Sequence, residues 1–275
     1  MHPSYLCGIC IAVFAGNAAA QSYVVGVEAV AFAPHYSVDK NGQFRGFARE
    51  LLDGFAADSG VELIYKPLPV EQLLPALLSG EVDFKYPDNP TWSASAKAGS
   101  ALVYSADIVE SVDGVLVAPG RVGRPLQQLQ RLAIVNGWTP QGFAAQPVDW
   151  VANDDLRSMI NQALKKDTDG AYYNVVVATH YLDTISTRPG ALVFDPSLPY
   201  SRIQYQLSTR KQPQVIASFD HYLSTHASEV AALKSKYRVE ANLDSEYLGM
   251  EQWKVDFLKR QKARAETAQQ STSPE

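Results

Sequence analysis

Cysteine is almost missing from this 275-residue chain: Cys7 and Cys10 both fall within the first twenty residues. Downstream there is no thiol for a disulfide, a thiolate nucleophile or a Cys-based zinc site. Histidine is scarce as well. Beyond residue 20 only His35, His180, His221 and His226 remain, and none forms an HxxEH or HxH pair. No GxSxG turn and no Walker-type phosphate loop occurs. These absences set aside thiol redox, zinc, nucleophile-elbow and phosphate-loop chemistry, and no metal or cofactor is expected. The net charge of −5 argues against a nucleic-acid surface. After residue 20 no apolar run reaches the ~20 residues that span a bilayer.

The first twenty residues carry no Lys, Arg, Asp or Glu. Tyr5 to Gly16 is a short apolar run, and Ala18-Ala19-Ala20 places small residues before Gln21. That is the layout of a cleaved secretory signal, although the segment before the run offers only His2. Neither cysteine follows the Leu-small-small pattern of a lipoprotein site. Residues 1–20 are therefore expected to be a signal peptide and the remainder periplasmic.

What remains is strongly patterned. Val24 to Val27 is a short apolar run, and Asn41-Gly42 marks a turn. Phe47, Leu51, Leu52 and Phe55 recur at helical spacing through Ser59. Val61 to Tyr65 alternates as a strand, and Glu71 to Leu78 returns to helical spacing before Gly80. Strand, helix, strand, helix, strand predicts a parallel sheet with crossovers. Pro87-Asp-Asn-Pro90 predicts a loop, because two prolines oppose helix and central strand alike.

The turn Asn41-Gly-Gln-Phe-Arg-Gly-Phe47 and the segment Leu73-Leu-Pro-Ala-Leu-Leu-Ser-Gly-Glu-Val-Asp83 resemble the family 3 periplasmic solute-binding proteins. The resemblance covers roughly Tyr23 to Tyr237. It implies an α/β fold of two lobes, the type II periplasmic binding fold, each lobe a mostly parallel sheet flanked by helices. Two crossover strands would serve as the hinge. The expected division is 1–20 signal, 21–113 first part of lobe one and 114–202 lobe two. Residues 203–257 would then be the return to lobe one with C-terminal helices, and 258–275 a disordered tail.

Local signals fill in the second half. Ala101 to Ser105 and Val112 to Val117 read as extended, the latter interrupted at Gly114. Leu126 to Leu132 has helical spacing, and Arg131 to Val135 starts a second strand-helix cycle. Asp154 or Asp155 caps a helix from Leu156 to Leu164. Ala191 to Phe194 and Gln204 to Arg210 read as strands, and Pro213 starts a helix with Ile216, Phe219 and Leu223 on one face.

Ligands in such sheets sit beyond the carboxyl ends of the strands. The first such loop carries Phe32, His35 and Tyr36, either an aromatic wall for a ligand or a packed loop over the core. Tyr86, Asp88, Asn89 and Trp92 combine polar groups with stacking faces; the alternative is an Asx turn closed by Trp92. Trp138 and Thr139 follow the turn at Gly137, where the family has a helix start whose N–H groups favour an anion. Ser105 stands at the family's "FS" position.

Two departures from the resemblance bear on the ligand. The family's amino-acid binders grip the ligand carboxylate with an Arg, and Ser93 to Ala98 has only Lys97. They hold the ligand ammonium with an Asp, and here Asn174 stands in that position. An ordinary α-amino acid is therefore not the expected ligand. The expected function is capture of a small polar solute by hinge closure, by a monomer serving an ABC-transporter permease. A sensor that passes the closed state to a membrane signalling protein is the alternative, and a cleft enzyme of dehydratase type a further one.

Overall fold

A computed structural model describes residues 20–143, 147–243 and 246–271. The expected signal therefore lies outside the described residues, apart from Ala20. The chain opens with β1 (Ser22–Glu28), then a small antiparallel sheet of β2 (Ala31–Phe32), β3 (Tyr36–Val38) and β4 (Phe44–Arg45). Next come α1 (Phe47–Ser59), β5 (Glu62–Leu68), α2 (Val70–Ser79), β6 (Phe84–Asp88), α3 (Ala94–Lys97) and β7 (Val103–Tyr104). The middle of the chain holds β8 (Val109–Val117), β9 (Arg131–Val135), β10 (Asp149–Asn153), α4 (Leu156–Lys165), β11 (Gly170–Asn174), α5 (Val175–His180) and β12 (Val193–Phe194). The chain then returns through β13 (Ser201–Thr209), α6 (Pro213–Thr225), α7 (Ala227–Tyr237) and α8 (Gln252–Ser271).

The strand order is β10-β9-β11-β8-β13-β6-β1-β5. At one end β1 runs parallel to β5 and β6; at the other β9 runs parallel to β10 and β11. Between these parallel halves lie β8 and β13, antiparallel to each other and to their outer neighbours. Two parallel α/β halves joined by two crossing strands are the two-lobe architecture that the sequence led us to expect. The pairing switches partway along each crossing strand. β13 pairs with β8 over Ser201–Tyr205 and with β6 from Gln206 on, while Asp113–Val117 of β8 pair with β11.

Apolar burial explains the helices. α1 turns Phe47, Ala48, Leu51, Leu52, Phe55 and Ala56 inward and ends at Gly60 in the left-handed conformation. Each fully buried Leu or Phe contributes about 1.5–3 kcal/mol. Its N-cap is Gly46, at φ 105°, where a Cβ would lie 2.9 Å from Cα of Tyr36. Only glycine fits there, and the close approach holds the Phe32–Tyr36 loop against α1. In the second half Asp155, rather than Asp154, caps α4: its Oδ1 accepts from the N–H of Ser158 at 2.8 Å.

Four expectations fail for identifiable reasons. Pro87 lies in β6, a strand flanked on both sides, rather than in a loop. The β13–β6 register shifts between Gln206 and Ser208, so the missing N–H of Pro87 falls at an irregularity and breaks no regular ladder bond. Gly114 does not interrupt β8. It pairs with Tyr173 and leaves room for the Phe194 ring, whose Cε2 would lie 2.5 Å from a Cβ at 114. The helical spacing of 126–132 yields only one short turn, Leu126–Gln128, before β9 takes over. The span 258–275, expected to be disordered, is helical through Ser271.

After α7 the chain crosses to the other half. Leu243 packs with Val112, Val175, Val176 and Phe194, and the N–H of Gln252 donates to Oδ2 of Asp183 at 3.1 Å. Filling the space kept open at residue 114 tests this packing. Gly114→Ala is expected to destabilise the fold by about 1–3 kcal/mol, seen as a lower urea midpoint with unchanged slope.

Candidate functional site

The ends of β1 and β6, the middle of β8 and β13, and the turn after β9 converge on a cavity of about 90 Å³. One side is cationic. Asp88, fully buried at the end of β6, takes Lys85 Nζ at 2.9 Å and Lys97 Nζ at 2.7 Å on the same oxygen. Its other oxygen accepts from Ser208 Oγ at 2.6 Å, and the N–H of Asn89 donates to Oδ1 at 2.9 Å. Each ammonium spends a second N–H on a backbone carbonyl, Lys85 on Pro87 and Lys97 on Asn89. An ammonium has three N–H donors, so one on each lysine remains for a solute. Both lysines line the cavity.

Electrostatics follow from this crowding. Burial pushes the Asp88 carboxyl up, but the two lysines outweigh it and hold it below the usual carboxylate range. Burial pulls the Lys97 ammonium down, aided by the like charge of Lys85 and opposed by Asp88.

The other side is acidic. Glu28 ends β1 and accepts from the hydroxyl of Tyr36 at 2.5 Å; burial raises its pKa, against the pull of Tyr36 and Lys85. Asp113 sits on β8 directly across from Asn174 of β11. Ser111 Oγ and Asn174 Nδ2 each donate to Asp113 Oδ1 at 3.2 Å. Burial nevertheless pushes the Asp113 carboxyl up to about 6. A carboxylate thus stands one strand over from Asn174, on its cross-strand partner. Asn174 serves as orienter and as N-cap of α5, accepting from the N–H of Val177 at 2.9 Å.

Aromatic rings wall the space between. Trp92 meets Tyr205 edge-on at 5.6 Å and lies 5.5 Å from Lys85 Nζ. Trp138 stacks on Tyr173 at 5.0 Å. Of the residues expected from sequence, Tyr36, Asp88, Trp92, Trp138 and Thr139 line the cavity. Phe32, His35, Tyr86, Asn89, Ser105 and Asn174 do not.

Their positions explain why. Phe32 and His35 are wholly buried in the aromatic layer behind the wall, where burial and His180 hold the imidazole near pKa 3 and therefore neutral. Of the two readings of this loop, His35 and Phe32 follow the packed one: both are core residues. Tyr86 is likewise packed in the core. Asn89 shapes its loop, with Nδ2 on Gln204 O and Oδ1 on Thr91. Ser105 Oγ ties Ala106 O to the N–H of Leu207. Asp88 lines the cavity, but its carboxylate is occupied by Lys85 and Lys97. Among the described residues no helix starts at the Gly137 turn, so the expected anion site of a helix N-terminus is not formed there. Reasoning from sequence missed Lys85, Asp113, Tyr172 and Tyr205. Asp113 was accessible only through its pairing with position 174.

Asp113 carries a measurable stability signature. Its folded pKa of about 6 lies above the ordinary 3.8. The stabilisation due to its neutral form is complete below the unfolded value and lost as pH rises through about 6. Asp113→Asn is therefore expected to be more stable than the parent above pH ~6, by up to about 3 kcal/mol, with the difference closing towards pH ~4. Chemical denaturation across that range checks it.

No curated protein matches the chain in sequence. Among solved structures, a mutant arginine-binding protein from T. maritima is similar at 19% identity and a TM-score of 0.64, covering 79% of this chain and 95% of that one. The arginine-, lysine- and histidine-binding protein of Geobacillus stearothermophilus is similar at 21% identity and a TM-score of 0.64, with the same coverage. An ancestral amino-acid-binding protein, a precursor of cyclohexadienyl dehydratase, matches at 18% identity and a TM-score of 0.63, covering 79% of this chain and 95% of its own. At these identities the likeness shows the fold. Residues 23–176, more than half the chain, match the bacterial extracellular solute-binding proteins, family 3, and to that family the chain belongs.

Proposed function

We propose that this chain captures a small polar solute between its two lobes and presents the closed form to the permease of an ABC transporter. We take 21–113 and 203–257 as the first lobe and 114–202 as the second. One observation carries the reading: two lysines with spare N–H donors and two buried carboxylates line one aromatic-walled cavity. Such a cavity complements a solute with an anionic group at one end and a cation or polarised ring at the other. Bound solute would favour the closed state by touching both lobes.

The two charge handles that looked missing from the sequence have counterparts at other positions, Lys85 and Lys97 for the arginine and Asp113 for the aspartate. The geometry still differs from a carboxylate fork. No arginine is among the described residues lining the cavity, and two ammonium point charges accept any anionic group. This supports a solute outside the ordinary α-amino acids. A second reading, acid catalysis in the cleft, draws on the raised pKa of Asp113, since a carboxyl near 6 is suited to proton transfer.

Thermal shift against amino acids, amines, organic acids and short peptides tests the proposal, because a native-state ligand raises the melting temperature. A hit is expected among zwitterions or organic ions, with affinity falling by about tenfold or more in Lys97→Ala, as charged hydrogen bonds are worth ~1.5–3 kcal/mol. Binding of a cationic group is expected to weaken as pH falls through about 6, where Asp113 protonates. Tight binding confined to common α-amino acids would sink the ligand assignment, and turnover of the hit would favour the enzyme reading.

A further inference from the structure

The outward face of α8 is not explained by the solute site. The helix runs 20 residues, about 30 Å, and its first turn is fixed by the Gln252–Asp183 hydrogen bond and by Val255, which is wholly buried. From Lys259 to Arg264 every side chain is exposed. Trp253 and Phe257 are 60% and 47% exposed, one turn apart. With Arg260 and Arg264 they fall at i, i+4, i+7 and i+11, a single stripe on the side opposite Val255. Between 252 and 264 there are five basic residues (Lys254, Lys259, Arg260, Lys262, Arg264) against one acid, Asp256. The chain as a whole carries −5, so this is a basic rod on an acidic body.

A polar helix with so little packing gains little from its own body. Its stripe mixes aromatic rings and guanidinium groups at one level instead of segregating them. A bilayer's headgroup layer receives that mixture: Trp settles among headgroups while arginine pairs with phosphate, and no deep apolar face is needed. We propose that α8 docks the chain on an anionic phospholipid surface through Trp253, Phe257, Arg260 and Arg264. Adsorption is shallow, electrostatically driven and independent of the solute bound in the cleft. It would hold the solute cleft close to the membrane that contains its receiving partner.

Co-sedimentation with vesicles tests this on the purified full chain. Phosphatidylcholine vesicles containing phosphatidylglycerol are expected to carry the protein down, and pure phosphatidylcholine vesicles to leave it in solution. Raising salt towards 1 M, where the screening length falls to ~3 Å, is expected to release it. Arg260→Glu with Arg264→Glu should weaken binding by more than about tenfold. Trp253→Ser with Phe257→Ser should weaken it at unchanged melting temperature, since both rings are exposed. Equal binding to neutral vesicles, no binding to anionic ones, or undiminished binding by both variants overturns the proposal. So does a partner protein that cross-links to the stripe while vesicles fail to bind.

Discussion

The buried carboxylate of Asp88 is the interaction on which the cleft depends. A carboxylate with no exposure is costly unless every lone pair is engaged, and here two ammonium groups, a hydroxyl and a backbone N–H engage it. The cluster keeps one excess positive charge. Because Lys85 and Lys97 are held by short bonds to a rigid strand end, that charge is fixed before any solute arrives. Pre-fixed charge reorganises little on binding, which favours affinity. Removing Asp88 would leave two lysines in mutual repulsion, each held only by a backbone carbonyl, Pro87 O for Lys85 and Asn89 O for Lys97.

The second constraint is the antiparallel pair β8 and β13. Each serves both sheet halves, so its residues set what both walls present. Asp113 and Tyr205 reach the cavity from these strands, next to the point where pairing switches from one half to the other. In the proposed function these strands would be the hinge, with Glu28 and Lys97 on one moving wall and Trp138 and Tyr172 on the other. The segment after α7 adds a third link, since Leu243 is packed among residues of β8, α5 and β12. The two halves are therefore tied at two places, by the crossing strands and by this segment.

Much of the fold was legible because it follows from periodicity. The α1 span and the strand character of 61–65 need only apolar spacing, and the two motifs that carry the family resemblance lie in the same stretch. Three of the four failures share a cause: each needed a partner distant in sequence. Pro87 is tolerated in an inner strand only because β13 shifts register beside it. Gly114 reads as a break until Phe194 is seen filling its space. The helix-like spacing of 126–132 lost to the pairing of Arg131–Val135 with β10. Site residues divide likewise. Trp92 and Trp138 were visible as unusual loop aromatics, whereas Asp113 looks like any strand residue until it stands opposite Asn174.

That juxtaposition bears on how the cleft works. Asp113 lies on a crossing strand, near enough to Glu28 that the Glu28 charge adds to burial in raising its pKa. Under the proposed function, a solute cation beside Asp113 and Glu28 would offset their desolvation, and the lysine pair would receive the anionic end. Such a cleft would discriminate by charge pattern first and by shape second, because Tyr205, Trp92 and Trp138 offer faces that many rings or alkyl groups satisfy equally.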